Sequence, residues 1–173
     1  DPDTRSNGLE TPLMAACRAD NLPAVRILLR RGAGIGLRDQ RLWTPLFFAA
    51  ASGASADLLR LLAASGASID ETSSQGTTPL MAVLETPKGA AALRPLLEIG
   101  ADPNHRNMAT VTPLMMAAAN DDLEAVALLL GFGADPVQGT WDGLTPLMVA
   151  ARRSQRAEFL ETLVSAGAPV DQP

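Results

Sequence analysis

The 173-residue sequence contains few aromatic residues, one cysteine, one histidine and no tyrosine. Phe and Trp together make up 3% of the chain, so a hydrophobic core has to be built mainly from Ala, Leu, Met and Val. The single cysteine, Cys17, excludes an internal disulfide and fits a reducing compartment, and we therefore expect a cytoplasmic or nuclear protein. No apolar run reaches the roughly 18 residues of a membrane span. The sequence thus predicts no transmembrane helix.

The charge balance is acidic, with a net charge of −5 and Lys88 as the only lysine. Non-specific binding to nucleic acids depends on neutralising phosphates with basic side chains. An acidic chain with one lysine lacks this property. We therefore expect no nucleic-acid partner.

A Thr-Pro-Leu motif occurs five times at nearly constant intervals. The copies begin at Thr11, Thr44, Thr78, Thr112 and Thr145. A Gly-Ala pair closes each copy, from Gly32-Ala33 in the first to Gly167-Ala168 in the last, and the segment between each glycine and the next threonine has a constant length. A repeat with this period is one supersecondary unit, which buries its apolar face only by stacking on its neighbours.

Each copy carries signals for two short helices. A threonine hydroxyl accepts a hydrogen bond at a helix start, and a proline fits the first helical position. The second helix has apolar residues at helical spacing, as at Leu22, Val25 and Leu29, and ends at the glycine, which adopts a left-handed conformation without strain. We expect the segment from each Gly-Ala pair to the next threonine to form an extended hairpin finger.

These features resemble the ankyrin repeat. The matching residues are the Thr-Pro-Leu, the alanine pair after it, the Leu-Leu near the end of the copy and the Gly-Ala. The resemblance covers nearly the whole chain and implies an all-α solenoid of helix-turn-helix units joined by β-hairpin-like fingers. We expect residues 1–173 to form a single domain and to be a fragment of a longer protein.

Two features of the sequence depart from the family pattern. The family usually has His after Thr-Pro-Leu, in a hydrogen-bond network around the threonine, whereas this chain has Met14, Phe47, Met81, Met115 and Met148. These side chains are expected to pack in the core, and a Met-lined metal or partner groove is the alternative. The third copy replaces the usual tight turn with residues 83–89 and places Pro95 in its second helix. There we expect a local distortion and a helix start near Ala91.

The resemblance implies a non-enzymatic scaffold that binds a protein or peptide on its concave face. In this family, partners usually contact the finger tips and the exposed face of the first helices. The matching positions and their neighbours provide the following candidate binding residues: Arg18, Arg38, Arg41, Trp43, Met108, Val111, Trp141, Leu144 and Arg152. Trp and Arg are common interface anchors. Alternatively, the rings of Trp43 and Trp141 pack on neighbouring fingers and stiffen them.

Other functions have weaker support. Cys17 and His105 are the only possible Cys–His pair and lie three repeats apart, roughly 30 Å at about 10 Å for each helix layer. The sequence has no phosphate-binding glycine loop and no nucleophile elbow. We therefore expect a monomer without catalytic activity, cofactor or metal ion. A targeting or regulatory region of a larger multidomain enzyme, and a purely structural spacer, stay open as alternatives.

Overall fold

The computed structural model describes residues 1–86, 90–154 and 156–170. Within these ranges the chain forms ten α-helices in five consecutive pairs and no β-strand. The helices are α1 (Pro12–Arg18), α2 (Leu22–Arg30), α3 (Pro45–Ser52), α4 (Ala56–Ala64), α5 (Pro79–Glu85), α6 (Ala90–Glu98), α7 (Pro113–Ala119), α8 (Leu123–Gly131), α9 (Pro146–Arg153) and α10 (Ala157–Ser165). The predicted all-α repeat of helix pairs is confirmed. The fingers, which the sequence suggested were β-hairpin-like, are loops closed by tight turns.

The helices group into two compact units, Asp1–Ala101 and Asp102–Pro173. In the first unit, α1 packs on α3 and α3 packs on α5, while α4 packs on α6. In the second unit, α7 packs on α9, and each of these helices also packs on the second helix of its own pair. Helices as short as these are marginal in isolation, so contacts between pairs stabilise each unit.

Every first helix begins with the same side-chain cap. The side-chain oxygen of each threonine in the motif accepts the N–H of the residue three positions later, at 3.2–3.3 Å. All five threonines are at most 4% exposed, and a proline occupies the first helical position after each. The predicted threonine caps are therefore confirmed. Each cap removes an otherwise unpaired N–H from the helix start.

Every second helix ends as predicted at a glycine in the left-handed region. The five glycines have φ between 80° and 99°, namely Gly32, Gly66, Gly100, Gly133 and Gly167. The alanine after each glycine donates its N–H to the carbonyl five residues earlier, as from Ala33 to Leu28 at 3.0 Å. These hydrogen bonds satisfy carbonyl groups at the helix end, and the left-handed glycine turns the chain into the next finger.

The residue that replaces the family's histidine is a core side chain in four of the five copies. Met14, Phe47, Met81 and Met115 are at most 2% exposed, whereas Met148 is 42% exposed. The sulfur of Met14 also accepts the backbone N–H of Thr11 at 3.3 Å. In the first copy, methionine therefore supplies both the packing and a polar contact to the threonine.

Pro95 lies inside α6 and is buried. The helix begins at Ala90, within one residue of the predicted start, and is as long as the other second helices. Proline cannot donate the N–H that would otherwise pair with the carbonyl of Ala91. The helix nevertheless continues, since Ile99 donates to the Pro95 carbonyl at 3.1 Å. Residues 87–89 of the predicted irregular turn lie outside the described residues.

Candidate functional site

Five small polar residues hold the finger turns in shape. Each lies five residues before the capping threonine: Ser6, Asp39, Ser73, Asn107 and Thr140. The side-chain oxygen of each accepts the N–H of the residue four positions later, at 2.8–3.3 Å. Such side chains substitute for a backbone acceptor in a tight turn. Sequence reasoning does not single out these residues, although every copy carries a small polar residue there.

The residue two positions before each capping threonine adopts a positive φ. Glycine occupies this position in two copies, with φ of 74° at Gly76 and 83° at Gly143. The other three copies have Leu9 at 62°, Leu42 at 64° and Thr110 at 59°. Residues other than glycine are strained in this region, and a β-branched threonine is a true outlier. The surrounding hydrogen bonds therefore impose the turn on these three residues.

Neighbouring fingers of the first unit are joined by hydrogen bonds. Gln40 donates its backbone N–H to the Gly8 carbonyl at 3.2 Å, and its side-chain amide donates to the Asn7 carbonyl at 2.9 Å. The next finger continues the pattern, because Ser74 donates its N–H to the Arg41 carbonyl at 3.0 Å. These bonds fix the spacing between adjacent tips.

Trp43 packs on the helix that follows its own finger. Its ring centre lies 4.5 Å from that of Phe47 in a stacked arrangement and 5.3 Å from that of Phe48 in an edge contact. The guanidinium carbon of Arg41 lies 3.8 Å from the Trp43 ring centre. Phe47 and Arg41 thus both contact the Trp43 ring, which is half-buried. Trp43 is therefore packed against side chains of its own repeat.

Arg41 is held in place by the buried carboxylate of Asp39. One oxygen of Asp39 accepts the N–H groups of Arg41 and Trp43, each at 2.8 Å, and the other lies 3.4 Å from Nε of Arg41. Asp39 is 7% exposed, whereas the Arg41 side chain is 58% exposed. The carboxylate thus fixes both the turn and the base of the arginine side chain, while the guanidinium reaches the surface.

Arg18, at the end of α1, approaches Phe48. Its guanidinium carbon lies 5.8 Å from the ring centre of Phe48, and that of Arg41 lies 5.9 Å from it. Arg18 also forms an ion pair with Glu10, with Nη2 and Oε1 separated by 2.8 Å. We call Arg18, Arg41, Trp43, Phe47 and Phe48 the arginine–aromatic cluster.

The remaining arginine predicted in this unit has another contact. Arg38 is half-buried and forms an ion pair with Glu71, which lies on the next finger. This pair joins two neighbouring fingers. The structure therefore brings Arg18, Arg41 and Trp43 together, and it gives Arg38 a separate contact to the next finger.

Two large side chains are highly exposed on adjacent fingers of the second unit. Trp141 is 83% exposed and Met108 is 77% exposed. Their fingers are joined by a hydrogen bond from the Trp141 backbone N–H to Oγ1 of Thr110, at 3.0 Å. We call Met108 and Trp141 the fingertip pair. Its indole lies open to solvent, unlike that of Trp43.

The second unit contains three other predicted binding residues. Val111 and Leu144 are half-buried, and both donate their N–H groups within their own fingers. Arg152 is exposed at the end of α9. A hydrogen bond from the Thr140 hydroxyl holds the pKa of Asp142 below its ordinary value, and the Arg152 charge acts in the same direction. Asp142 therefore adds a negative charge beside Trp141.

The structure offers no metal-binding cluster within residues 1–86, 90–154 and 156–170. No group of three His, Cys, Asp or Glu side chains in those ranges could hold a metal ion. Burial raises the pKa of the Cys17 thiol to about 12, with a smaller contribution from the charge of Asp20. The thiolate, which is the nucleophilic form, is therefore disfavoured. No helix in the described part of the chain is long and apolar enough to cross a membrane.

Comparison with known families identifies the repeat. The family model for ankyrin repeats, which represents three copies, matches residues 13–107 and again residues 87–173. A comparison with curated proteins found no significant match. The family match spans nearly the whole chain and agrees with the helix pairs, threonine caps and glycine ends described above. The chain therefore belongs to the ankyrin-repeat family.

Proposed function

We propose that this chain is a non-enzymatic scaffold that recognises a protein or peptide through its fingertips and the adjoining ends of its first helices. Ankyrin repeats are generally protein–protein interaction modules, and the family is typically non-catalytic. The proposed binding residues are Arg18, Arg38, Arg41 and Trp43 in the first unit, and Met108, Val111, Trp141, Leu144 and Arg152 in the second unit.

The fingertip pair is the observation that carries this proposal. An indole and a thioether that are 83% and 77% exposed leave most of their apolar surface in water. Burying a large apolar side chain stabilises by roughly 1.5–3 kcal/mol. The fold does not use this energy at Trp141 or Met108, so it is available to a partner.

The fingers that carry the pair are ordered before any partner arrives. Asn107 and Thr140 hold the two turns through side-chain hydrogen bonds, and Thr110 joins one finger to the other. A binding surface that is already ordered loses less conformational entropy on association. An exposed Trp on a fixed backbone is therefore well suited to act as an interface anchor.

The test compares a double variant of the fingertip pair with a matched control. The 173-residue chain is immobilised and the proteins that it captures are identified. The affinity of each captured protein is then measured for three forms of the chain: wild type, the double variant Trp141→Ala with Met108→Ala, and the control Ile27→Ala. Ile27 is 58% exposed but lies on α2, away from the fingers. We expect the double variant to lose at least about tenfold in affinity, since anchor residues often contribute about 2 kcal/mol or more. Ile27→Ala should bind as wild type.

Thermal unfolding of all three proteins separates binding from folding. The substituted residues are exposed, so the melting temperatures should agree closely. A double variant that melts as wild type and still binds every captured protein with unchanged affinity would refute the proposal.

A further inference from the structure

We infer that the arginine–aromatic cluster takes an acidic segment of the partner, with carboxylates of Asp or Glu side chains paired to Arg18 and Arg41. This inference rests on the proposed function and specifies the partner's chemistry at one part of the surface. The fingertip pair belongs to the other unit and carries no part of the argument.

Two positive charges approach the same ring in this cluster. Arg18 comes from α1 and Arg41 from the second finger, and their guanidinium carbons lie 5.8 Å and 5.9 Å from the Phe48 ring centre. Each guanidinium has one carboxylate of the chain beside it, Glu10 for Arg18 and Asp39 for Arg41. The two side chains are 55% and 58% exposed, so a partner can reach both.

Arg41 is arranged to receive a carboxylate. Its guanidinium stacks over Trp43, and its contact to Asp39 is made through Nε at 3.4 Å. A guanidinium carries five N–H donors in a rigid fork that matches a carboxylate, and this contact uses one of them. The Asp39 carboxylate is itself occupied by two backbone N–H groups. Stacking and the Asp39 contact therefore hold Arg41 in position before a partner binds.

Arg18 shows which chemistry the cluster accepts. Its Nη2 lies 2.8 Å from Oε1 of Glu10, a carboxylate supplied by the chain itself. The Glu10 side chain is 26% exposed but its Oε1 is buried, whereas the Arg18 side chain is 55% exposed. A carboxylate of a partner can reach the exposed guanidinium and would compete there with Glu10. Glu10 acts as an internal competitor for the same guanidinium.

This competition predicts effects of opposite sign on the two sides of one ion pair. Removing the charge of Arg18 deletes a binding group, whereas Glu10→Gln removes the competitor and leaves Arg18 intact. A role of the pair in folding alone would give similar losses from either substitution. Arg26→Gln is the matched control, because Arg26 lies in the same unit, is exposed on α2 and is not among the proposed binding residues.

The experiment uses a displayed library of random dodecapeptides, selected against the whole chain. We expect Asp and Glu to be enriched beside an apolar residue in the selected peptides. The most enriched peptide is synthesised and titrated by calorimetry against wild type, Arg18→Gln, Arg41→Gln, Glu10→Gln and Arg26→Gln. Arg18→Gln and Arg41→Gln should each weaken peptide binding about tenfold, which is the loss expected when a charge-assisted hydrogen-bonded pair is removed. Glu10→Gln should bind the peptide more tightly than wild type, and Arg26→Gln should bind it as wild type does.

Several results would overturn the inference. The first is a selection in which Asp and Glu are not enriched among the bound peptides. The second is an acidic peptide that binds Arg18→Gln and Arg41→Gln with the affinity of wild type. The third is weaker binding of the peptide to Glu10→Gln than to wild type. Inorganic phosphate that displaces the peptide at equal concentration would show a general anion site rather than peptide recognition. The fingertip double variant is measured with natural partners, so its outcome reports on the proposed function separately.

Discussion

Thr110 accepts the backbone N–H of Trp141 at 3.0 Å, and this bond joins two neighbouring fingers. The same residue has a φ of 59°, a conformation that costs a residue other than glycine roughly 1–2 kcal/mol. Gly76 and Gly143 occupy the equivalent position in other copies without such strain. The chain thus has a strained threonine at a turn that suits glycine, and the hydroxyl of that threonine positions the finger of the most exposed aromatic residue.

The first prediction concerns this hydroxyl. Thr110→Val keeps the branched side chain and removes the acceptor for the Trp141 N–H. We expect the free energy of unfolding to fall by about 1 kcal/mol, which is the net value of one hydrogen bond. Urea denaturation measures this loss, and hydrogen exchange at the Trp141 amide should become faster. Thr110→Ser keeps the oxygen and should retain slow exchange. Equal exchange rates in wild type and Thr110→Val would contradict the role given to this bond.

The second prediction compares two turn-holding residues of the first unit. Asp39 accepts two backbone N–H groups with a carboxylate at 7% exposure, and Ser73 accepts two with a neutral hydroxyl. Hydrogen bonds to charged groups contribute more than neutral ones. Asp39→Ala should therefore lower the free energy of unfolding by about 2 kcal/mol and Ser73→Ala by about 1 kcal/mol.

Asp39→Asn provides the control for charge in this comparison. It preserves an oxygen acceptor, so it should fall between wild type and Asp39→Ala in urea denaturation. If Asp39→Ala and Ser73→Ala are equally stable relative to wild type, the negative charge adds nothing to the turn.

The helical part of the fold follows from the sequence because it depends on local chemistry. Thr-Pro at a helix start and glycine at a helix end act through their own backbone, whatever lies nearby. Thr11 and Gly32 could therefore be assigned from the sequence, and both were confirmed. The fingers are less local. Their turns are closed by side chains such as Asp39 and Asn107, and no strand forms in the described residues.

The candidate surface could be located from the sequence but not described. The family's binding positions predicted both tryptophans as binding residues, and the sequence alone did not distinguish one from the other. Trp43 is followed by Phe47 and Phe48, which cover it, while Trp141 has no aromatic neighbour at those positions and stays 83% exposed. The approach of Arg18 to Phe48 depends on how α1 packs on α3, a contact between repeats that no single motif encodes.

The third prediction concerns the strained turn at Leu42, where φ is 64° and the side chain is 41% exposed. Leu42→Gly removes strain of about 1–2 kcal/mol and loses about 0.5–1 kcal/mol through the greater freedom of the unfolded chain. We expect a net stabilisation of about 0.5–1 kcal/mol, seen as a rise of a few degrees in melting temperature.

The reverse substitution tests the same argument at a glycine. Gly76→Leu imposes the strain on a turn with a φ of 74° and should lower the melting temperature. A lower melting temperature for Leu42→Gly would instead mean that contacts of the leucine side chain outweigh the strain.

The fourth prediction concerns pH and the buried thiol of Cys17. Its pKa of about 12 in the folded protein lies above the value of 9.0 expected without burial. Between these values the unfolded chain loses the thiol proton while the folded chain keeps it, so stability falls as the pH rises. Across that pH range the expected slope is roughly 1.4 kcal/mol per unit. Urea denaturation at several pH values measures it, and Cys17→Ala removes this contribution to the slope. If the wild type and Cys17→Ala lose stability in parallel, the thiol is not the titrating group.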